Sequence, residues 1–403
     1  MLLDAVKCSM PWLPSDAFSL RTARCLSACV LSAILLLGTV GPGVTETKRV
    51  LMLHSFGRDS KPWSEYARNI RAEVEKQSQW PLEISDHSLM TASSGDEKSE
   101  APLVEYLRAL HAGYPPDVIV TLGAPAVAFV QRHRQQLFPA TPMVFTAVEQ
   151  RRVSYSTITA SDTVVAVAHS FREFFESILR VLPDTKTVAV VIGNSPNEKF
   201  WLSEIRREAR QFANRITFKW YNELSVEDIL KDAAALPPQS VIFWHLLNVD
   251  AAGVGHEGDE ALKALHAVAN APIFAVYDTS FGNGIVGGPM HSAVEGSHLT
   301  ASVVLRILGG DRAGDIKVPP TGFAEPKFDW REMRRWGINE SRLMPGSKIY
   351  FREPTVWEQY RPQILMVCAV ILLQSALICW LLYQRAHRTS SKAPSNAAGQ
   401  KVG

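Results

Sequence analysis

Cysteine is absent from the whole stretch between Cys29 and Cys368 of this 403-residue chain. Cys8, Cys25 and Cys29 lie in or before an apolar run near the N-terminus, and Cys368 and Cys379 lie inside a second one near the C-terminus. The region between them therefore has no disulfide and no thiolate chemistry, and its core alone must hold it. An excess of charge of one sign is also lacking: 42 Lys and Arg face 40 Asp and Glu, and no long basic stripe occurs outside the membrane flanks. That balance excludes nucleic acid as the expected partner. No H-x3-H or H-E-x2-H pair occurs, and His245 and His256 lack metal-ligand spacing. There is no G-x-S-x-G elbow and no G-x4-G-K-[ST] loop. With no nucleophile–base or metal set, the chain reads as a non-enzyme that needs no metal and no cofactor.

What is present is a membrane signature at each end. Ile364 to Leu382 is apolar except for Gln374 and Ser375, and roughly 19 residues suffice to cross a bilayer. Trp357 and Tyr360 precede the run, and Trp380 and Tyr383 close it, as interfacial aromatics do. Arg385, His387, Arg388 and Lys392 follow, which puts that side in the cytoplasm. The reading is a transmembrane helix over 362–384 and a disordered cytoplasmic tail over 385–403. At the other end, Arg21 and Arg24 precede the apolar run Cys25 to Val40, broken by Gly41, Pro42 and Gly43. Residues 1–44 are thus a cleaved signal peptide or an uncleaved N-terminal anchor, two alternatives that the length of the run leaves open. In both cases residues 45–361 are exported, and the protein sits in the inner (cytoplasmic) membrane with its main domain in the periplasm.

The exported region alternates short apolar strands with amphipathic helices. Strands are expected at Arg49 to Phe56, Leu82 to Leu89, Asp117 to Leu122 and Pro142 to Val148. Helices are expected at Trp63 to Gln77, Pro102 to His111 and from Gly123 to Leu137. The alternation restarts at Thr163 and runs to Leu308, after which the chain turns proline-rich, with one amphipathic helix near Trp330 to Trp336. Such alternation specifies α/β architecture with parallel sheets covered by helices. Two runs of it imply two doubly wound lobes. Lobe 1 is expected at about 48–150 and 271–345, and lobe 2 at about 160–270, with the first break between Gln150 and Ser161. Ligands of doubly wound sheets sit outside the carboxyl ends of the strands. A cleft between two such lobes suits hinge closure on a small molecule.

Three stretches carry a family resemblance: Val120 to Ala126 (VTLGAPA), Val190 to Glu198 (VVIGNSPNE) and Ala271 to Gly288 (APIFAVYDTSFGNGIVGG). Together they resemble the two-lobed substrate-binding proteins of ABC transporters, including the binders of aromatic amino acids. The flank from Phe351 to Arg388 resembles the junction in alphaproteobacterial sensor histidine kinases that fuse such a domain to a cytoplasmic kinase. No phospho-acceptor helix or ATP lid follows His387, so no kinase of its own is expected. The resemblance implies a periplasmic-binding-protein-like fold and a small organic ligand, an amino acid or an aromatic acid.

Candidate ligand-binding residues follow from the strand ends and the resemblance. Gly123, Ala124 and Pro125 open a helix whose free N–H groups suit a carboxylate, although Pro in a first helical turn is also ordinary turn chemistry. Asn194 and Glu198 end a lobe 2 strand, where Glu198 either pairs with an ammonium or serves a helix cap with Ser195. His54, Ser55 and Phe56 end the first strand, with Phe56 placed to stack on an aromatic ligand. His245 and Asn248 end another strand, and Tyr277 and Asp278 a third, Asp278 having a local turn role as its alternative. The resulting expectation is a membrane-anchored extracytoplasmic sensor or receptor. It would work with a separate histidine kinase and form a homodimer through its membrane helix. A tethered binding component serving an ABC permease, and the remnant of a sensor kinase, are the alternatives.

Overall fold

The computed structural model describes residues 46–57, 59–89, 100–354 and 356–390. The signal or anchor expected at 1–44 and the end of the tail, 391–403, lie outside the described residues.

Lobe 1 is built on a five-stranded parallel sheet. Its strands are β1 (Lys48–His54), β2 (Leu82–Ser88), β3 (Val118–Leu122), β4 (Met143–Glu149) and β5 (Asp162–Val167), in the order β2-β1-β3-β4-β5. All five residues of β3, VIVTL, are buried, as a central parallel strand covered on both faces requires. Helices α1 (Trp63–Gln77), α2 (Ala101–Leu110) and α3 (Ala124–Leu137) connect the strands. The apolar spacing of α1 buries Trp63, Tyr66, Ala67, Ile70 and Val74 as one stripe.

Lobe 2 repeats the plan. Strands β6 (Thr187–Ile192), β7 (Thr217–Trp220), β8 (Ser240–Leu246) and β9 (Ile273–Ala275) form a parallel sheet in the order β7-β6-β8-β9. Helices α4 (Phe171–Val181), α5 (Pro196–Ala209), α6 (Val226–Ala234) and α7 (Glu260–Val268) pack on it. Ser170 caps α4, and Ser195 with Glu198 forms a reciprocal capping box at α5. Two strand ends then form an annex, because β10 (Gly287–Gly288) pairs with β11 (Lys327–Asp329), and β11 with β12 (Lys348–Tyr350). The short helix α9 (Trp330–Arg335) follows β11, after α8 (Ala293–Leu308) has returned to pack on α1 in lobe 1. Gly296 of α8 faces Tyr66, and a Cβ there would meet that ring at 2.6 Å.

The lobe boundaries expected from the sequence shift. Strand β5 pairs with β4, so lobe 1 runs past the expected break at Gln150 to Ser161. Strand β9 pairs with β8, so the segment from Ala271 belongs to lobe 2, and the return to lobe 1 comes only with α8. Residues 327–350 go back to lobe 2, where Phe328, Met333 and Ile338 join its core. The physical reason is that a parallel strand shows its type in its sequence but not its partner. The chain thus crosses between the lobes at Ala168 to Ser170, at Pro289 to Ser292, and after Thr321. Backbone bonds tie the crossings together: Ala168 N–H donates to the Thr321 carbonyl at 2.8 Å, and Ala324 N–H to the Met290 carbonyl at 2.9 Å.

The chain ends in α10 (Val356–Ser390). Its stretch Gln359–His387 is long and apolar enough to cross a membrane and is not buried against the rest of the protein. The helix runs through Ser390, so the first residues of the expected disordered tail are helical.

Candidate functional site

In both sheets the strand order reverses beside the first strand, between β1 and β3 in lobe 1 and between β6 and β8 in lobe 2. Loops leaving adjacent strands on opposite sides open a crevice there. The loops after β1, β3, β6 and β8 meet across the gap between the lobes, and three connected cavities lie along it. The outermost, of about 220 Å³, is lined by Ser55, Phe56 and Ser60 of lobe 1 and by Asn248, His256 and Glu257 of lobe 2. A middle chamber of about 30 Å³ shares Ser60, Asn248 and His256 with it and adds His245 and Tyr277. An inner chamber of about 20 Å³ lies between Trp63, Tyr66 and Arg152 of lobe 1 and Asn197, Trp201 and Tyr277 of lobe 2.

Ties across the gap hold the lobes together. Lys61 Nζ reaches Asp259 Oδ2 at 2.6 Å and the Thr279 carbonyl at 3.1 Å. Arg151 pairs with Glu204 and Glu208 of α5, and Arg152 donates to Asn197 Oδ1. Phe56 and Trp63, with ring centroids 4.0 Å apart and planes tilted by 34°, belong to the same apolar cluster as the lobe 2 core.

Rings line much of the two inner chambers, beside Arg152 and Glu149 in one and Lys61 and Asp259 in the other. His169 sits on one crossing, His291 on the second and Phe323 beyond the third; their rings pack 4.1 Å (His169–His291) and 4.6 Å (His291–Phe323) apart. His245 stacks between Phe243 and Tyr277, and His169 Nε2 bonds the Tyr277 hydroxyl at 3.0 Å. Burial pushes His245 down to about 3 and His291 down to about 4, and His169 well below the ordinary histidine range. All three rings are therefore neutral at pH 7. Neither ring nitrogen of His245 or His291 has a hydrogen-bond partner; the Gly322 carbonyl lies near His291 and His245's own carbonyl near its ring, neither in bonding geometry. The side-chain amide nitrogens of Asn197 and Asn248 are unpartnered too. Buried donors and acceptors are nearly always satisfied in folded proteins, and these atoms, close to where the lobes meet, are exceptions to that. Among the described residues no group of three His, Cys, Asp or Glu is placed to hold a metal ion.

No protein-family model matches the chain, and no curated protein matches it in sequence. Solved structures match it in shape. A conserved domain protein from Vibrio cholerae O1 biovar El Tor covers 75% of this chain and 100% of its own, with a TM-score of 0.55 at 18% identity. An ABC domain from Streptococcus pneumoniae in complex with L-Trp aligns with a TM-score of 0.54 at 14% identity, over 75% of this chain and 100% of its own. The ligand-free, open structure of a substrate-binding protein with adhesive properties from Clostridium difficile gives 0.52 at 12%, over 76% and 100%. The chain has the two-lobed fold of ABC-transporter solute-binding proteins. At these identities the likeness speaks for the fold, and the site rests on its own geometry.

That geometry sorts the residues expected from the sequence. Phe56, Ser55, His245, Asn248 and Tyr277 line the cavities, and Ala124 lines the inner one. Ser55 does so while holding the next turn: its hydroxyl donates to the Leu122 carbonyl at 2.6 Å and accepts from Ala126 N–H at 3.0 Å. That bond uses one of the helix N–H groups considered for a ligand carboxylate. Gly123, at φ +89°, lets this turn approach, since a Cβ would meet Ser55 Oγ at 2.7 Å and Trp63 Nε1 at 2.9 Å. Pro125 and Asn194 line none of the three chambers. His54 turns to β2, where Nε2 meets Asp86 Oδ1 at 2.9 Å.

Both acidic residues expected at the site are engaged elsewhere. Glu198 is fully buried and accepts from the backbone N–H of Ser195 at 2.9 Å and of Asn248 at 2.5 Å, joining the β6 and β8 loops. Asp278 accepts from Ala293 N–H at 3.0 Å and pairs with Lys327 Nζ at 3.0 Å. Their local alternatives, helix capping and turn support, describe what they touch. Sequence reasoning missed Trp63, Tyr66, Glu149, Arg152, His169, Asn197 and Trp201. Arg152 and Glu149 end β4, so the strand-end rule applied to that strand finds them.

Proposed function

We propose that this chain is a receptor whose extracytoplasmic two-lobed domain closes on a small organic ligand and which α10 anchors in the cytoplasmic membrane. The observation that carries the reading is the set of unpartnered polar atoms on His245, Asn248 and Asn197 where loops of both lobes converge. The inner chambers have room for little more than single waters as they stand. A ligand therefore enters by separation of the lobes and is enclosed when they close. The reading is of a binder, not an enzyme. Interfacial aromatics at both ends of the apolar stretch of α10 and the basic residues after that stretch support the anchor and its orientation. Output passes to a separate histidine kinase, with Gln374 available for a hydrogen bond across a homodimer.

A thermal-shift screen of the full chain in detergent micelles, against amino acids, aromatic acids and purines, tests this. A ligand at ~100 times its dissociation constant stabilises the fold by about 2.7 kcal/mol. Lys61→Ala, which removes a tie between the lobes, should change the affinity of any ligand found. No shift with any compound refutes the reading. A second reading, a tethered binding component of an ABC importer, is favoured by the fold shared with the L-Trp-bound ABC domain. Disulfide cross-linking through Cys368 or Cys379 separates the two: ligand-dependent yield favours a receptor, and ligand-independent yield favours transport.

A further inference from the structure

The inner chamber holds a cation that the charge of Glu149 favours from beyond ion-pair contact. Arg152 enters it from the turn after β4, and among the described residues no carboxylate oxygen lies within salt-bridge distance of its guanidinium. Its partners are Asn197 Oδ1 and the face of Phe200, 4.6 Å from the ring centroid. The one carboxylate lining the chamber, Glu149, is taken, since Arg151 N–H donates to one oxygen at 2.7 Å and Arg151 Nε to the other at 2.8 Å. Beside Arg152, the amide nitrogen of Asn197 has no acceptor, although that residue is only 4% exposed. Arg152 and the Asn197 amide, from opposite lobes, thus face one space in which the amide nitrogen has no acceptor. Burial lowers Arg152 to about 10, so it is charged at neutral pH.

Among the residues lining the inner chamber, the only acid for a second cation is Glu149, which Arg151 already engages at both oxygens. In the middle chamber Asp259 pairs with Lys61 at 2.6 Å and accepts from Asn283 at 3.0 Å. Glu257 is exposed and lines only the outermost cavity, which shares no wall residue with the inner one. The remaining inner wall combines the rings of Trp63, Tyr66, Trp201, Tyr277 and His169 with small aliphatic surface.

We infer that the ligand of this cleft is an aromatic carboxylate without an ammonium group, its carboxylate held by Arg152 and Asn197 and its ring enclosed by Trp63, Tyr66, Trp201 and Tyr277. The inference rests on the receptor reading above and narrows it. A carboxylate offers acceptors that match a guanidinium fork and an amide N–H together. Because Arg152 belongs to lobe 1 and Asn197 to lobe 2, the anion bridges the hinge and favours the closed state. An α-ammonium placed beside the carboxylate would lose its hydration with no acid but the doubly engaged Glu149 to replace it, which disfavours the amino acid.

Calorimetry on the full chain in detergent micelles at pH 7 tests the assignment with matched probes. The acids are benzoate, phenylacetate and indole-3-acetate. The zwitterions are L-phenylalanine and L-tryptophan, and the amines phenethylamine and tryptamine. At least one acid should bind, about tenfold or more tighter than the zwitterion and the amine sharing its ring. Arg152→Met should weaken that acid by about 10- to 100-fold, and Arg152→Lys by less. Zwitterions binding as tightly as acids, or amines binding instead, would overturn the assignment while the receptor reading stood. Acid binding unchanged by Arg152→Met in a protein with wild-type melting would overturn it too. Silence from every probe would overturn the assignment, and the receptor reading stands or falls separately with the wider thermal-shift screen.

Discussion

Acid should loosen this protein at its hinge. His245 and His291, each 2% exposed, are held neutral in the folded chain by burial, at about 3 and about 4. In the unfolded chain they titrate near the ordinary value of about 6.5. A depressed histidine stabilises the fold above pH 6.5, and that stability is lost as the pH falls towards the folded value. Between pH 7 and pH 5 the unfolded chain gains most of one proton per histidine and the folded chain almost none. At about 1.36 kcal/mol per pH unit, over roughly 1.4 effective units, each histidine removes about 2 kcal/mol. Both together remove about 4 kcal/mol, a large part of the 5–15 kcal/mol that holds a typical domain. His169, shifted the same way by burial and by the two other rings, adds to the loss. Nearby charge does not rescue the protons: Arg151 opposes that of His169, and both Glu149 oxygens accept from Arg151. Urea unfolding of the full chain in micelles at pH 7 and pH 5, for wild type and for the His245→Gln/His291→Gln double variant, measures the difference. Wild type should lose about 4 kcal/mol more than the variant over that interval. Equal losses in the two proteins would refute the assignment of acid sensitivity to these rings.

Two further outcomes follow from the packing. Arg134→Ala should cost about 3–5 kcal/mol, because it strands the buried carboxylate of Asp162 and also removes the bond to the Thr141 carbonyl at 3.1 Å; thermal melting reads it, and a loss under about 1 kcal/mol would show that water replaces the pair. Gly287→Ala should unseat the annex from lobe 2, because the added Cβ would lie 2.0 Å from the Lys327 carbonyl at a backbone φ of +119°; amide exchange over residues 327–350 should rise, and unchanged protection there would contradict the argument.

The sequence states local structure well where one chain segment decides it. Helix α1 spans Trp63–Gln77 and strand β6 Thr187–Ile192, as their apolar periods require. Strands β11 and β12 escape notice because three residues in a proline-rich stretch carry no period, and only pairing with β10 defines them. Sheet membership escapes for the same reason: DTVVAV reads as a strand, yet nothing in it says that β4 is its neighbour. The site shows the same division. Phe56, His245 and Tyr277 follow from strand ends, whereas Trp63, Tyr66 and Trp201 look like ordinary core residues of amphipathic helices. Only the meeting of the lobes turns their rings towards one chamber. Acidic residues mislead in the opposite direction. Glu198 and Asp278 stand at strand ends, but unpaired backbone N–H groups beside them are nearer and better acceptor targets than any ligand.

On the receptor reading proposed above, the attachment of α10 decides how closure would be felt. Strand β12 belongs to the lobe 2 annex, and the segment after it is stitched to that lobe. Phe351 packs against Phe281 with centroids 5.6 Å apart and lies under the Arg331 guanidinium at 4.2 Å. Phe281 in turn follows the Asp278–Ser280 turn, whose Thr279 and Ser280 line the middle chamber beside Tyr277. With α10 in a bilayer, lobe 2 is therefore the lobe fixed to the membrane, and lobe 1 is the one that swings. Lobe 1 begins at β1, directly after the segment read as a signal or an anchor. If that segment is removed, closure moves a free lobe, and the message must travel through Tyr277, the turn and Phe351 into α10. If it stays in the membrane, each lobe carries its own tether. Closure then changes the distance between two membrane helices, which requires no relay through the lobe 2 loops. Replacing Phe351 would silence the first arrangement and leave the second intact, so the same cleft chemistry supports two mechanically distinct receptors, told apart by one side chain outside the binding site.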